Sequence, residues 1–176
     1  MEKNSFEIFE RRKYEDNRGN LSETFVLQDF QNKIGHKIKF VQDNIVQSFK
    51  NSVRGLHYQV SPKSQGKYVS VIEGEIFDVI VDIRKNSKNF GCSYTFNLSS
   101  DNRKSLWVPS GFAHGFLTIS RKSTVIYKLT DFYSKNHERS IKWNSKQLLI
   151  EWPIKKNILI SEKDENAKEF DEIEFD

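Results

Sequence analysis

The sequence predicts an all-β protein, a sandwich or barrel with a few short peripheral helices. Three observations carry this. Valine, isoleucine, phenylalanine and tyrosine recur in short runs at 38–42, 45–49, 53–59, 67–72, 76–84, 92–98, 105–108, 115–119 and 124–131. Turn residues separate most of these runs, at Asn51-Ser52, Glu73-Gly74, 85–87, 99–102 and 109–111. Helical periodicity is scarce. Many short strands at such spacing fit a β sandwich or barrel.

The first helical signal is FVLQDFQNKIG at 25–35, where Leu27, Phe30 and Ile34 form one stripe and Gly35 suits a helix end. The turn at Gly74 followed by IFDVIVDI reads as a hairpin. SKQLLIEWPI at 145–154 suggests a second short helix, stopped by Pro153. There is no internal repeat, low-complexity stretch or Pro/Gly-rich linker. Residues 1–176 therefore read as one domain, with an acidic, solvated tail from about 165.

The chain has a formal net charge of +4, unevenly placed. Its last fifteen residues, EKDENAKEFDEIEFD, hold eight acids and two lysines, a net of −6, which leaves +10 for the rest. A basic body suits an anionic partner such as a nucleotide or phosphate. It lacks the concentrated basic stretch with interleaved aromatics that nucleic-acid binding calls for. No apolar run of ~18 residues predicts a membrane span, and the start resembles no signal peptide. The single cysteine, Cys92, permits no internal disulfide and points to a reducing, cytoplasmic setting.

The polar residues within the strands are the informative ones. In SVRGLHYQ at 52–59, His57 and Gln59 share one face by strand parity, while Arg54 falls on the other unless Gly55 marks a bulge. Lys67 opens the next run, Asp78 and Asp82 sit among isoleucines, His114 precedes GFLTI, and Tyr127 shares a face with Val125 and Leu129. Burying such groups without partners is costly. Taken singly, a core histidine or tyrosine is an ordinary packing residue. Together, a base, a phenol, an ammonium and an arginine aimed inward describe a pocket. The four histidines, His36, His57, His114 and His137, form no metal-ligand pattern, so no metal is expected.

These residues carry a resemblance. DNRG at 16–19, SETF at 22–25, FVQDN at 40–44, VRGLHYQ at 53–59, QGK at 65–67, GEIFDVIVDIRKNS at 74–87, LWVPSGFAHGF at 106–116, YKLTDFYSKNHER at 127–139 and ILISEKD at 158–164 resemble the dTDP-4-dehydrorhamnose 3,5-epimerase family. The resemblance implies a cupin-type jelly roll, a homodimer with N-terminal residues reaching across to the partner, and cofactor-independent inversion of C3 and C5 in a dTDP-linked 4-keto-6-deoxy sugar. It implies that His57 is the general base, Asp164 its orienting carboxylate, Lys67 the enolate stabiliser and Tyr127 the acid on the opposite face. Arg54, Gln42, Asn44 and Tyr133 match positions that hold the diphosphate and nucleotide. Arg18 and Glu23 match positions near the substrate, contributed across the dimer. Gln59, Asp78, His114, Glu138 and Lys163 match further substrate-side positions.

The residue types suit that chemistry. A C4 ketone acidifies the hydrogens at C3 and C5, and inversion needs a base on one face and an acid on the other. The charge developing on the C4 oxygen needs a cation in a dry site. A histidine held by a carboxylate keeps a defined tautomer. The chain departs from the family at Asn20 in RGNL, where an aromatic is common, and at Phe132 in DFYS, where a tyrosine is common, and it begins a few residues later. These departures bear on the nucleotide base and on whether one carbon or both are inverted. A C3-only or GDP-sugar epimerase is the nearest alternative reading. A metal-dependent cupin enzyme and a non-catalytic sugar-nucleotide binder are more distant.

Overall fold

The structure, a computed structural model, describes residues 5–173. Two five-stranded antiparallel sheets face each other. The first runs β1 (Glu7–Glu10), β9 (Lys104–Val108), β6 (Lys67–Glu73), β11 (Lys122–Leu129), β4 (Gln42–Phe49). The second runs β12 (Glu138–Ser140), β5 (Val53–Gln59), β10 (Phe112–Thr118), β7 (Glu75–Asp82), β8 (Ser93–Ser99). β2 (Lys13–Asp16) and β3 (Gly19–Ser22) form a separate hairpin. From β4 to β7 and again from β8 to β11, the chain alternates between the sheets, which is the jelly-roll arrangement expected.

The sequence misplaces several elements. The run at 38–42 forms no strand of its own: 38–41 lie outside any strand, and Gln42 opens β4, which continues through Asp43 and Asn44, paired with Lys128 and Tyr127 on β11, to Phe49. The Gly74 turn is a corner and not a hairpin: β6 and β7 lie in different sheets. Gly74 takes φ +77°, and a Cβ there would lie 2.1 Å from the Lys122 carbonyl oxygen, so only glycine fits the corner. The second helix shrinks to a single 3-10 turn, Lys146–Leu148. The first forms as α1 (Leu27–Ile34), with Gly35 at φ 80° returning its N–H to the Gln31 carbonyl.

Three apolar layers hold the fold. Between the sheets lie Val69, Val71, Ile76, Ile80, Leu98, Leu106, Phe112, Phe116 and Val125. Outside the first sheet, α1 lays Phe30 on Tyr68 and Trp107. Outside the second sheet, Trp143, Trp152, Ile158 and Phe170 cover Val53, Leu56, Tyr58 and Leu117. This third layer corrects the reading of a solvated tail. Lys168 bridges Ile141, and Phe170 donates its N–H to Ser145 Oγ at 2.9 Å and packs on Phe90. Residues 174–176 of that tail lie outside the described residues.

Candidate active site

Strand parity around the inner layer decides which polar groups meet. Val69 and Val71 on β6 face inward, and so does Lys67. Ile76 and Ile80 on β7 bracket Asp78, and Phe112 and Phe116 on β10 bracket His114. Val125 on β11 carries Tyr127 with it, across from Asn44 on β4. His57 on β5 pairs with His114, so it too faces inward. The expected base, lysine and tyrosine thus line one interior, with His57 on the second sheet and Tyr127 on the first.

Arg54 joins them through a β-bulge. His114 pairs with His57, but Phe116 pairs with Arg54, leaving Gly55 and Leu56 opposite the single Gly115. The extra residue shifts the phase of β5, so Arg54 and His57 share a face three positions apart. The two glycines make the bulge sterically feasible. A Cβ on Gly55 would lie 2.6 Å from Gly115 Cα, and one on Gly115 would lie 2.5 Å from the Arg54 carbonyl oxygen. Arg54 Nε donates to Ser48 Oγ at 2.9 Å, which steadies the guanidinium between the two sheets.

His57 Nε2 lies 2.6 Å from Asp164 Oδ1, and the Gly55 N–H donates to Asp164 Oδ2 at 3.2 Å. Asp164 is buried, whereas 29% of the His57 side chain remains open to an incoming molecule. Burial alone would raise the Asp164 carboxyl pKa, but hydrogen bonds from His57, Gly55 and Ser161 outweigh it and hold the group below its ordinary value. Asp164 rides on a four-residue helix, α2 (Glu162–Glu165), whose N-cap Ser161 accepts the Asp164 N–H at 3.2 Å. The pattern SEKD resembles a capping box, a signal that points to Ser161. Its acidic member is diverted to Gly55 and His57.

Lys67 Nζ donates to the His57 carbonyl oxygen at 3.1 Å, bridging the sheets beside the base. Burial lowers its ammonium pKa to about 8, with Asp78 and Glu138 opposing the fall. Asp78 is fully buried and takes His114 Nε2 at 2.9 Å. Among the described residues, neither Asp78 Oδ1 nor the Tyr127 hydroxyl has a hydrogen-bond partner.

The remaining residues divide. Gln42 bonds Asn44 and accepts the Tyr133 N–H, grouping these three beside Tyr127. Gln59 is committed to the chain itself: its amide donates to the Lys63 and Phe132 carbonyls and accepts the Ser134 N–H. Glu138 and Lys163 bond each other at 2.5 Å. Arg18 and Glu23 stay out of the cavity of their own chain. Arg18 bonds Asp16 on the exposed hairpin, and Glu23 pairs with Arg12 at 3.7 Å. Among the described residues, no three His, Cys, Asp or Glu side chains cluster as a metal site.

Comparison with known proteins agrees with this geometry. The family profile for dTDP-4-dehydrorhamnose 3,5-epimerase matches residues 4–172. The epimerase of that name from Shigella flexneri is 46% identical over 168 residues, 96% of this chain and 92% of the relative. A crystal structure of dTDP-6-deoxy-D-glucose-3,5-epimerase from Legionella pneumophila, in complex with dTDP-4-keto-L-rhamnose, superposes with a TM-score of 0.92 at 43% identity, covering 96% of this chain and 89% of that one. A 3'-monoepimerase from Streptomyces bikiniensis, in complex with dTDP-quinovose, gives 0.87 at 28% identity, covering 93% and 83%. This chain belongs to the dTDP-4-dehydrorhamnose 3,5-epimerase family, a family of isomerases.

Proposed function

We propose that the chain converts dTDP-4-dehydro-6-deoxyglucose to dTDP-4-dehydrorhamnose, inverting C3 and C5 through an enolate. The observation that carries this is the placement of the His57–Asp164 pair on one wall and Tyr127 on the other, with Lys67 beside the histidine. Asp164 accepts the proton on Nε2, which leaves the Nδ1 lone pair of His57 free to take a proton from C3 or C5. The negative charge moves to the C4 oxygen, where cationic Lys67 meets it. Tyr127 returns a proton to the opposite face, and both groups are reset from solvent. Arg54, with Gln42, Asn44 and Tyr133 across the cavity, receives the diphosphate and nucleotide. Incubation with the 4-keto substrate in D2O tests the reading. Deuterium at C3 and C5 is expected; deuterium at C3 alone assigns a monoepimerase, and none at either carbon rejects the assignment.

We also propose that the active form is a homodimer. Among the described residues the hairpin β2–β3 pairs with no other strand; it carries Arg18 and exposes 54% of Tyr14 and 63% of Leu21. Among the described residues strand β4 is an unpaired edge of its sheet, and it exposes 65% of Ile45 and 72% of Phe49. A partner that covers these surfaces removes an aggregation hazard and brings Arg18 and Glu23 to its own cavity. Among the described residues no helix is long and apolar enough to cross a membrane. We place the enzyme in the cytoplasm, a setting its single free thiol suits.

A further inference from the structure

One end of the layer between the sheets carries three hydroxyls that the proton transfers do not use. Ser48 on β4 shares a face with Val46, Ser123 on β11 with Val125, and Thr118 on β10 with Phe116, so all three point into the apolar interior. Ser48 is 4% exposed, and Ser123 and Thr118 are 0% exposed. A hydroxyl in such a place is costly unless it is hydrogen-bonded. Thr118 and Ser123 satisfy each other across the two sheets at 2.9 Å. Ser48 stands opposite Ser123 in the pairing of β4 with β11, and its oxygen accepts Arg54 Nε at 2.9 Å. Arg54 Nη2 donates to the Gln47 carbonyl oxygen at 3.3 Å. The chain thus takes up the edge of the guanidinium formed by Nε and Nη2. Among the described residues Arg54 Nη1 has no partner.

We propose that Ser48 is a positioning residue for diphosphate binding. It anchors one edge of the Arg54 guanidinium and leaves the Nη1 end as the donor presented to the phosphates. This rests on the reading of Arg54 as the residue that receives the diphosphate. Ser48 is too buried to touch a ligand, so its effect passes through the arginine. Arg54 itself is exposed, and a free arginine gives up rotamer freedom when it grips an anion. One already held has less to lose, and its planar fork keeps a fixed direction. The diphosphate takes no part in the chemistry at C3 and C5, so this grip is the same before and during the reaction. Its loss therefore raises KM and spares kcat.

The test uses full-length Ser48→Ala, Arg54→Ala and the Ser48→Ala/Arg54→Ala double variant. Titration calorimetry measures binding of dTDP and of thymidine, which lacks the diphosphate, and steady-state kinetics give kcat and KM. Ser48→Ala is expected to weaken dTDP roughly 5- to 20-fold, the worth of a hydrogen bond to a charged group, and to raise KM in step. Thymidine binding and kcat should stay near wild type. Arg54→Ala should weaken dTDP more strongly, and adding Ser48→Ala to it should change nothing further, because the serine acts only through the arginine. Normal dTDP binding by Ser48→Ala beside weak binding by Arg54→Ala overturns the inference. So does an equal loss of thymidine, a fall in kcat at constant KM, or a further loss in the double variant. Normal dTDP binding by Arg54→Ala overturns the underlying reading instead.

Discussion

Asp164 and Gly55 are 109 positions apart, and the Gly55 N–H holds one oxygen of the Asp164 carboxylate while His57 Nε2 holds the other. A backbone donor cannot rotate away, so it fixes the plane of the carboxylate and thereby the ring it orients. Asp164→Asn replaces an acceptor with a donor at one of these two contacts. Either Gly55 loses its partner or His57 is forced into the wrong tautomer. The expected result is a fall in kcat of roughly 10²–10⁴ with KM little changed, the usual worth of a positioned base. Steady-state kinetics measure it directly.

Lys67 predicts a pH dependence. Its ammonium is desolvated down to about 8, so it is cationic below that pH and neutral above it. Stabilisation of the enolate oxygen is therefore present below about 8 and lost as pH rises through it. The alkaline limb of kcat/KM should fall near that value, and Lys67→Arg, which stays charged, should remove the limb even if its maximum rate is lower. Stability moves the other way. Between about 8 and the ordinary lysine value of 10.5 the unfolded chain binds the proton and the native one does not, so this group makes the protein more stable as pH rises across that window.

The cross-subunit role of Arg18 is testable by mixing. Arg18→Ala and His57→Ala dimers, each inactive or nearly so, are dissociated and reassociated together. If Arg18 serves the partner's cavity, mixed dimers carry one intact site, and roughly a quarter of the wild-type rate returns on random pairing. No recovery, or a fully active monomer by light scattering, contradicts the arrangement.

The C-terminal segment should behave as part of the fold. Phe170 packs against the layer outside the second sheet and against Phe90. Phe170→Ala is expected to cost roughly 1–3 kcal/mol, the worth of a largely covered aromatic, read as a lower thermal midpoint. A solvated tail would show no change.

The interior was legible in the sequence because buried strands alternate: Asp78, His114 and Tyr127 each stand between apolar same-face neighbours, and Lys67 leads into Val69 and Val71 on its own face. Arg54 was not, since parity puts it on the far side and only the pairing of Gly55 and Leu56 against Gly115 reverses that. The hairpin β2–β3 escaped notice because it buries neither face, so KYED and GNLS carry no apolar alternation. The corner at Gly74 looked like a hairpin because sequence shows a turn without showing which sheet receives the next strand. Asp164 lies on a short helix far along the chain from His57, and resemblance alone linked the two before the fold did.

The central claim is that His57 and Tyr127 work on opposite faces of the sugar. The most direct test follows solvent deuterium at C3 beside product formation in three proteins. Wild type should show both. His57→Ala should show neither, because no enolate forms. Tyr127→Phe should still exchange C3, since His57 can remove and return a proton on its own face, while inversion falls by roughly 10²–10⁴. If Tyr127→Phe loses exchange as completely as His57→Ala, or if His57→Ala turns over normally, the division of labour between the two walls is wrong.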